Sequence, residues 1–293
     1  MVYVGGAVNP HPNPSKPDRN AEGGRDVKVG IAGLGAIGKV VARALDEGRI
    51  EGLELAGVTA RDMGKAALTI EGFRRPVPVL TAQELADSAE IVVECVPKAA
   101  FRSIAEPALR AGRVLVTVSG AGILENPDIV ELAKAHGGRI VLATGALLGL
   151  DAVRAAAEGN VREIRMVTRK PPNALVGAPH LVEHNISIEG LNEPKKVFEG
   201  NAREGARGFP ANVNVAAALG LAGIGPDETR LEIWADPSLT RNTHTITVDA
   251  DSARFEMTIE NVQSEENPGT GKITALSVIA CLRGLVSPLK VGT

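Results

Sequence analysis

The stretch "VKVGIAGLGAIGKVVARALDEG" (27–48) constrains the fold more than any other part of the chain. Val27, Val29 and Ile31 read as a short apolar strand, and Ile37, Val40, Val41, Ala44 and Leu45 recur at helical spacing. Between strand and helix, Gly33, Gly35 and Gly38 spell Gly-x-Gly-x-x-Gly. In such a turn the first glycine permits the tight bend, the second lets a pyrophosphate approach the backbone, and the third lets helix and strand pack closely. The helix then turns its unpaired N–H groups and the positive end of its dipole toward the phosphates. The motif predicts a dinucleotide site, with Ala36 and Ile37 in the same loop as further contacts. Its bland alternative is a structural glycine turn.

The chain keeps this strand-and-helix rhythm as far as Gly149. "LELAGVTA" (53–60) is a second strand, and Thr81 with Glu84 gives a capping-box pattern ahead of the buried run "EIVVECV". "KAAFRSIAEPALRAG" reads as a helix, "RVLVTVSGAG" as a strand ending in a glycine turn, "NPDIVELAKAHGG" as a helix, and "RIVLATGALLG" as a strand. Alternating strands and helices imply an α/β, doubly wound parallel sheet, expected over 26–150. After Asp151 the texture changes. "VREIRMVTRK", "LEIWAD", "THTITVDA" and "ARFEMTIENV" alternate with period two, as half-exposed antiparallel strands do. They predict a second, α+β domain over 151–270. "GKITALSVIACLRGLVSP" is an apolar helix expected over 271–288 to return to the first domain. Residues 1–25, rich in Pro, Asn and Gly and without the order of a signal peptide, read as a disordered tail.

Composition narrows the function classes. With 32 basic and 35 acidic residues the formal charge is −3, which offers nothing to nucleic acid or an anionic membrane. Aromatics at 2% are too few for base-stacking platforms. Cys95 and Cys281 lie in apolar runs and no Cys/His cluster has zinc spacing, so a reduced, cytoplasmic setting and no metal are expected.

The second strand ends in "VTARD". An acid at this place bonds the ribose 2′-OH of NAD, whereas an arginine attracts the 2′-phosphate of NADP. Arg61 and Asp62 therefore leave NAD or NADP open. At the junction "ATGALLGLDA" there is no cysteine to serve as an acyl nucleophile, and the turn "VSGAG" lacks the Glu-Lys-Pro of the glucose–fructose oxidoreductase type. His244 is the better chemical candidate. In "THTITV" it shares a face with Ile246 and Val248, so an inward apolar face carries the imidazole inward too. A neutral histidine beside a cofactor is a general acid/base; the alternative is a core histidine satisfied by its surroundings. His180 and His184 form an i, i+4 pair without the other ligands of a metal site.

The segment "FEGNAREGARGFPANVNVAAALGLAGIGPDETRLEIWADPSLTRNTHTITV", with "VVECV", "ATGALLGLDA" and "VTRKPPNAL", resembles the L-aspartate dehydrogenase family. The resemblance covers nearly everything after residue 26. It implies a homodimer of Rossmann and catalytic/dimerisation domains that interconverts L-aspartate with oxaloacetate and ammonia through iminoaspartate, using NAD or NADP, in a route that can feed NAD biosynthesis. It places the catalytic histidine at His244, cofactor contacts at Ala146 and Asn214, and a substrate contact at Asn242. A dianionic substrate needs cations, and Lys170, Arg241 and Arg169 are candidates, each otherwise an ordinary solvated charge. Two turns depart from the family pattern. "VPKAA" (96–100) replaces an alanine-glycine turn, and "SGAG" (119–122) replaces S-x-G-A. These leave room for a related amino-acid or imine oxidoreductase with another substrate, or for a non-catalytic NAD(P)-binding sensor.

Overall fold

The apolar run of Val27–Ala32 forms β1, the centre of a parallel sheet, because residues buried on both faces need cover from helices on both sides. In a computed structural model, residues 25–210, 214–267 and 269–292 are described; the expected N-terminal tail lies outside them but for residue 25. The first sheet has the order β2-β1-β3-β4-β5, with β2 at Leu53–Thr59, β3 at Ile91–Glu94, β4 at Val114–Thr117 and β5 at Arg139–Leu142, every pair parallel. Its helices are α1 (Gly38–Asp46), α2 (Met63–Ile70), α3 (Ala82–Ser88), α4 (Phe101–Arg110), α5 (Gly120–Glu125) and α6 (Asp128–Ala135). Thr81 and Glu84 close the capping box on α3.

Beyond β5 come α7 (Leu150–Ala157), β6 (Val161–Lys170), α8 (Pro179–Glu183), β7 (Lys195–Asn201), α9 (Ala202–Gly208), α10 (Asn214–Ala222), β8 (Arg230–Ala235), β9 (Asn242–Ala250), β10 (Arg254–Asn261) and α11 (Lys272–Val286). The second sheet has the order β10-β9-β6-β8-β7. It differs from an all-antiparallel reading in one pairing: β6 and β8 run parallel. The cause is β7, a strand not evident from its charged sequence "KKVFEGN". It pairs antiparallel with β8, and α9 and α10 carry the chain back so that β8 enters in the direction of β6. The fold class is as expected: a doubly wound parallel sheet joined to a second sheet with helices. α11 returns to the first sheet, where Val278 and Leu282 are buried with Val29, Val41 and Leu45.

The glycine turn of "VSGAG" also differs from expectation, since Gly120–Glu125 is helical. Its glycines are there for packing. A Cβ on Gly120 would stand 3.0 Å from the Asn214 carbonyl oxygen, and one on Gly122 2.7 Å from the Phe101 ring. The departure at 119–122 thus lets α5 lie directly on α10.

Candidate active site

The carboxyl ends of the parallel strands face the inner side of the second sheet across a pocket, the place where open α/β sheets bind ligands. Ile37, Ala143 and Ala146 line it from the first sheet's side, Lys170, Asn242, His244 and Asn261 from the second sheet, Asn214 from α10, and Gly271 and Thr274 from the start of α11.

The glycine loop closes one end. Gly33 has φ +92°, and a Cβ there would meet the Cys95 carbonyl oxygen at 2.6 Å. A Cβ on Gly38 would collide with the Gly33 carbonyl oxygen. Gly35 is different: it is exposed, and a Cβ would meet no protein atom within 4 Å. Packing therefore explains Gly33 and Gly38, while Gly35 keeps the backbone bare toward open space, as close approach of a phosphate requires. α1 has Ile37 at its N-cap and no side-chain cap; the Gly35 carbonyl takes the Lys39 N–H at 3.0 Å, and the cap itself offers the loop's end to an anion. These residues fit a dinucleotide.

β9 supplies buried polar groups. Asn242, His244, Ile246, Val248 and Ala250 all point inward and are buried. His244 pairs in register with Thr168 of β6, and its Nδ1 lies 3.1 Å from the Thr168 hydroxyl. Burial, and then the charge of Lys170, push the imidazole down to about 3, so it is neutral in the ligand-free site. Lys170 follows Thr168 on the same face of β6. It is 4% exposed, and burial pushes its ammonium down to about 8. Arg169 points the other way, 3.4 Å from Asp236 and stacked 4.7 Å over the Trp234 ring.

Two turns fix the cofactor side. The Gly145 N–H donates to Ser277 Oγ at 3.0 Å, and Asn261 Nδ2 donates to the Ala146 carbonyl at 3.0 Å. The Ala121 N–H donates to Asn214 Oδ1 at 3.1 Å, tying α5 to α10 and leaving Nδ2 as the polar atom Asn214 can turn to a ligand. At the end of β3, the buried Glu94 accepts from the Val96 N–H at 2.8 Å and the Thr117 hydroxyl at 2.5 Å. Burial raises its carboxyl above the usual range while these bonds pull it down.

Family comparison agrees with this architecture. Residues 33–143 match the model described as homoserine dehydrogenase, NAD binding domain, and residues 151–285 match aspartate dehydrogenase, C-terminal. The L-aspartate dehydrogenase of Bradyrhizobium diazoefficiens is 56% identical over 268 residues, covering 92% of this chain and 95% of that protein. The chain belongs to the aspartate dehydrogenase family. It is an oxidoreductase of the NAD(P)-dependent amino-acid dehydrogenase class. A more distant family member, the L-aspartate dehydrogenase of Methanosarcina mazei, is 38% identical over 91% of this chain and 100% of its own. The crystal structure of aspartate dehydrogenase from Thermotoga maritima shares the fold at a TM-score of 0.69 and 23% identity, over 91% of this chain and 99% of that one.

Within this family frame, the structure brings together Ile37 of the glycine loop, Ala146, Lys170, Asn214, Asn242 and His244; Gly33, Gly35, Ala36 and Gly38 stand outside the pocket lining. It does not bring in Arg241, which stands exposed ahead of β9 and outside the pocket lining. Arg61 is exposed past the end of β2, and its neighbour Asp62 caps α2 by accepting from the Lys65 N–H at 2.9 Å. The departure at 96–100 forms a short 3-10 turn in which Lys98 Nζ pairs with Glu125 at 2.7 Å. Cys95 packs against the first core, and burial pushes its thiol up, away from reactivity. His180 and His184 stack on each other at 4.1 Å, with His180 against Phe198 and Phe209. No cluster of three metal-binding side chains occurs among the described residues. No described helix is long and apolar enough to cross a membrane.

Sequence reasoning missed Thr168 and Asn261. Thr168 has no signal of its own, because its role depends on the β6–β9 register. Asn261 had one: it is an inward-phase position of β10 that carries an amide where the alternation calls for an apolar residue.

Proposed function

We propose that this chain interconverts L-aspartate with oxaloacetate and ammonia through iminoaspartate, with His244 as general acid/base. The observation that carries the reading is a neutral, buried imidazole placed beside a buried ammonium, over the strand ends of a dinucleotide domain. The names of the relatives, L-aspartate dehydrogenases at 56% and 38% identity, support the substrate.

A bound nicotinamide would supply the acceptor for the hydride of the substrate α-carbon. The chain's own residues do the rest. Lys170 holds a substrate carboxylate, where a buried cation is worth most. The Thr168 hydroxyl holds His244 through Nδ1, and in the tautomer that carries its proton on Nδ1 the Nε2 lone pair is the base. Burial, and then the charge of Lys170, keep the imidazole neutral in the ligand-free site. The dianion offsets that charge and raises the basicity of His244 when an amine proton must leave, and again when water adds to the imine. Asn242 touches the substrate from one rung away. Asn214 Nδ2 and the Ala146 turn orient the nicotinamide amide. With Asp62 engaged as a helix cap, Arg61 supports use of NADP as well as NAD.

The test is formation of reduced nicotinamide by the purified protein with NAD or NADP and a panel of L-amino acids, repeated with His244→Ala. Activity with L-aspartate that falls about 1,000-fold in the variant, with cofactor binding intact, is the expected result. Activity with a different amino acid only would overturn the substrate. Cofactor binding without any turnover would point to a sensor.

A further inference from the structure

Asn261 ends β10 directly across from Asn242 in the β9–β10 register. Both side chains line the pocket on the face that carries His244, and they are 3% and 7% exposed. The Ala146 carbonyl can only accept, so the Asn261 amide must turn its nitrogen toward it. That fixes Oδ1 on the opposite side, next to Gly271, where a Cβ would crowd it at 3.0 Å. Among the described residues, neither Asn261 Oδ1 nor Asn242 Oδ1 has a hydrogen-bond partner. A buried acceptor without a donor is costly, and native proteins rarely keep one without a reason. Here two stand on adjacent strands and face one pocket beside the imidazole.

A single substrate group that serves both must donate at least twice. Carboxylates and keto oxygens only accept, and a hydroxyl donates once. A nitrogen carrying two hydrogens satisfies both acceptors, and one carrying three also presents a proton to His244. We propose that Asn242 and Asn261 form the ammonia subsite: their Oδ1 atoms hold the substrate nitrogen, as the amine during oxidation and as ammonia in reverse. The inference rests on the amine chemistry proposed above. It adds Asn261 as an amine-binding residue, and it gives the site a means of preferring an amino acid over the corresponding 2-hydroxy acid, which would leave one acceptor unpaired.

The experiment is steady-state reductive amination of oxaloacetate with ammonia and NADH, for the wild type, Asn242→Ala and Asn261→Leu, with NADH affinity measured separately by fluorescence. Asn242→Ala leaves the Asn261–Ala146 bond in place, so it carries the test even if Asn261→Leu does not fold. In each folded variant the KM for ammonia should rise about tenfold or more; in Asn242→Ala, which keeps the Asn261–Ala146 bond, the Kd for NADH and the KM for oxaloacetate should stay within about twofold. Weaker NADH binding with an unchanged ammonia KM would overturn the proposal, because the acceptors would then serve the cofactor's amide. Three unchanged constants would overturn it too. If the wild type aminates another keto acid but not oxaloacetate, the aspartate reading fails alone, and the variants are compared on that acid. If it aminates none, both fail.

Discussion

Along β9 the inward side chains run Ala250, Val248 and Ile246, then change to His244 and Asn242. Along β1 and β3 they stay apolar as far as Val93, with Val29, Ile31, Val92 and Val93 buried almost completely, and only Glu94 at the end of β3 breaks the run. The first sheet's buried carboxyl, Glu94, accepts two well-formed hydrogen bonds. The polar end of the second sheet instead holds two acceptors that have no donor among the described residues. Both regions are equally sequestered from water, so burial alone does not mark a site. What marks it is incomplete satisfaction: a scaffold satisfies its polar groups internally, and a ligand site leaves some of them for the ligand.

The glycine loop holds the same contrast within six residues, and it gives the largest predicted effect. Gly38→Ala drives a methyl group into the Gly33 carbonyl, backbone against backbone, where little can give. We expect a loss of roughly 3 kcal/mol or more and a melting point lower by about 6–12 °C. Gly35→Ala meets no protein atom. It should melt within about 2 °C of the wild type yet bind NAD about 100-fold more weakly, because its methyl stands where the phosphate approaches. Calorimetry with cofactor titration checks both. Equal melting losses in the two variants would erase the distinction between the packing and ligand-facing glycines.

Lys170 sharpens the comparison from the other sheet. Its ammonium is depressed from 10.5 to about 8, so the native state holds the proton less tightly than the unfolded chain. The stability linked to this group is present above the unfolded value and is lost as pH falls from about 10.5 through 8. At pH 7 the buried charge therefore weighs against folding. Lys170→Met should raise the melting point by roughly 3–6 °C at pH 7 and lose that gain above about pH 10.5. The same variant should raise the KM for aspartate about 100-fold. A variant less stable at pH 7 would show that Lys170 belongs to the scaffold.

Much of this architecture was legible in the sequence alone. The strand, glycine turn and helix of 27–48 carry their geometry in their spacing, and the inward phase of His244 follows from Ile246 and Val248 alone. Which cations reach the pocket was not legible. Lys170, Arg169 and Arg241 look alike as strand-end charges, and register decides among them by turning only Lys170 inward. β7 was hidden because it is an edge strand whose outer residues are charged. Thr168 and Asn261 become functional only through partners about 76 and 115 positions away, Thr168 on His244 and Asn261 on Ala146.

The pH dependence of ligand binding is a smaller effect with a definite sign. Succinate has both carboxylates of the substrate and no titrating amine. Its affinity should fall about tenfold per pH unit from about pH 8 to 10, as Lys170 loses its proton in the ligand-free site. The decline should disappear in Lys170→Met. His244, neutral down to about 3 in the ligand-free site, should add a step near neutrality only through the complex, where the dianion raises the imidazole, and that step should vanish in His244→Ala. A step that survives in His244→Ala would belong to another group, and the imidazole would then not sense the dianion.

The smallest effect concerns the far end of the cofactor, where the first sheet does leave a polar group for a ligand. Arg61 is exposed, so its contact with a 2′-phosphate is screened and contributes modestly. Arg61→Ala should raise the KM for NADP about five- to tenfold and leave that for NAD within twofold, and the difference should shrink as salt is added. Asp62→Ala separates the two charges at this turn. If Asp62 serves chiefly as the cap of α2, its loss should lower the melting point by roughly 2–4 °C and change neither cofactor's KM by more than about twofold. A selective loss of NAD binding in Asp62→Ala would instead give the carboxylate the ribose, and the chain would then discriminate against NADP at the position where Arg61 invites it.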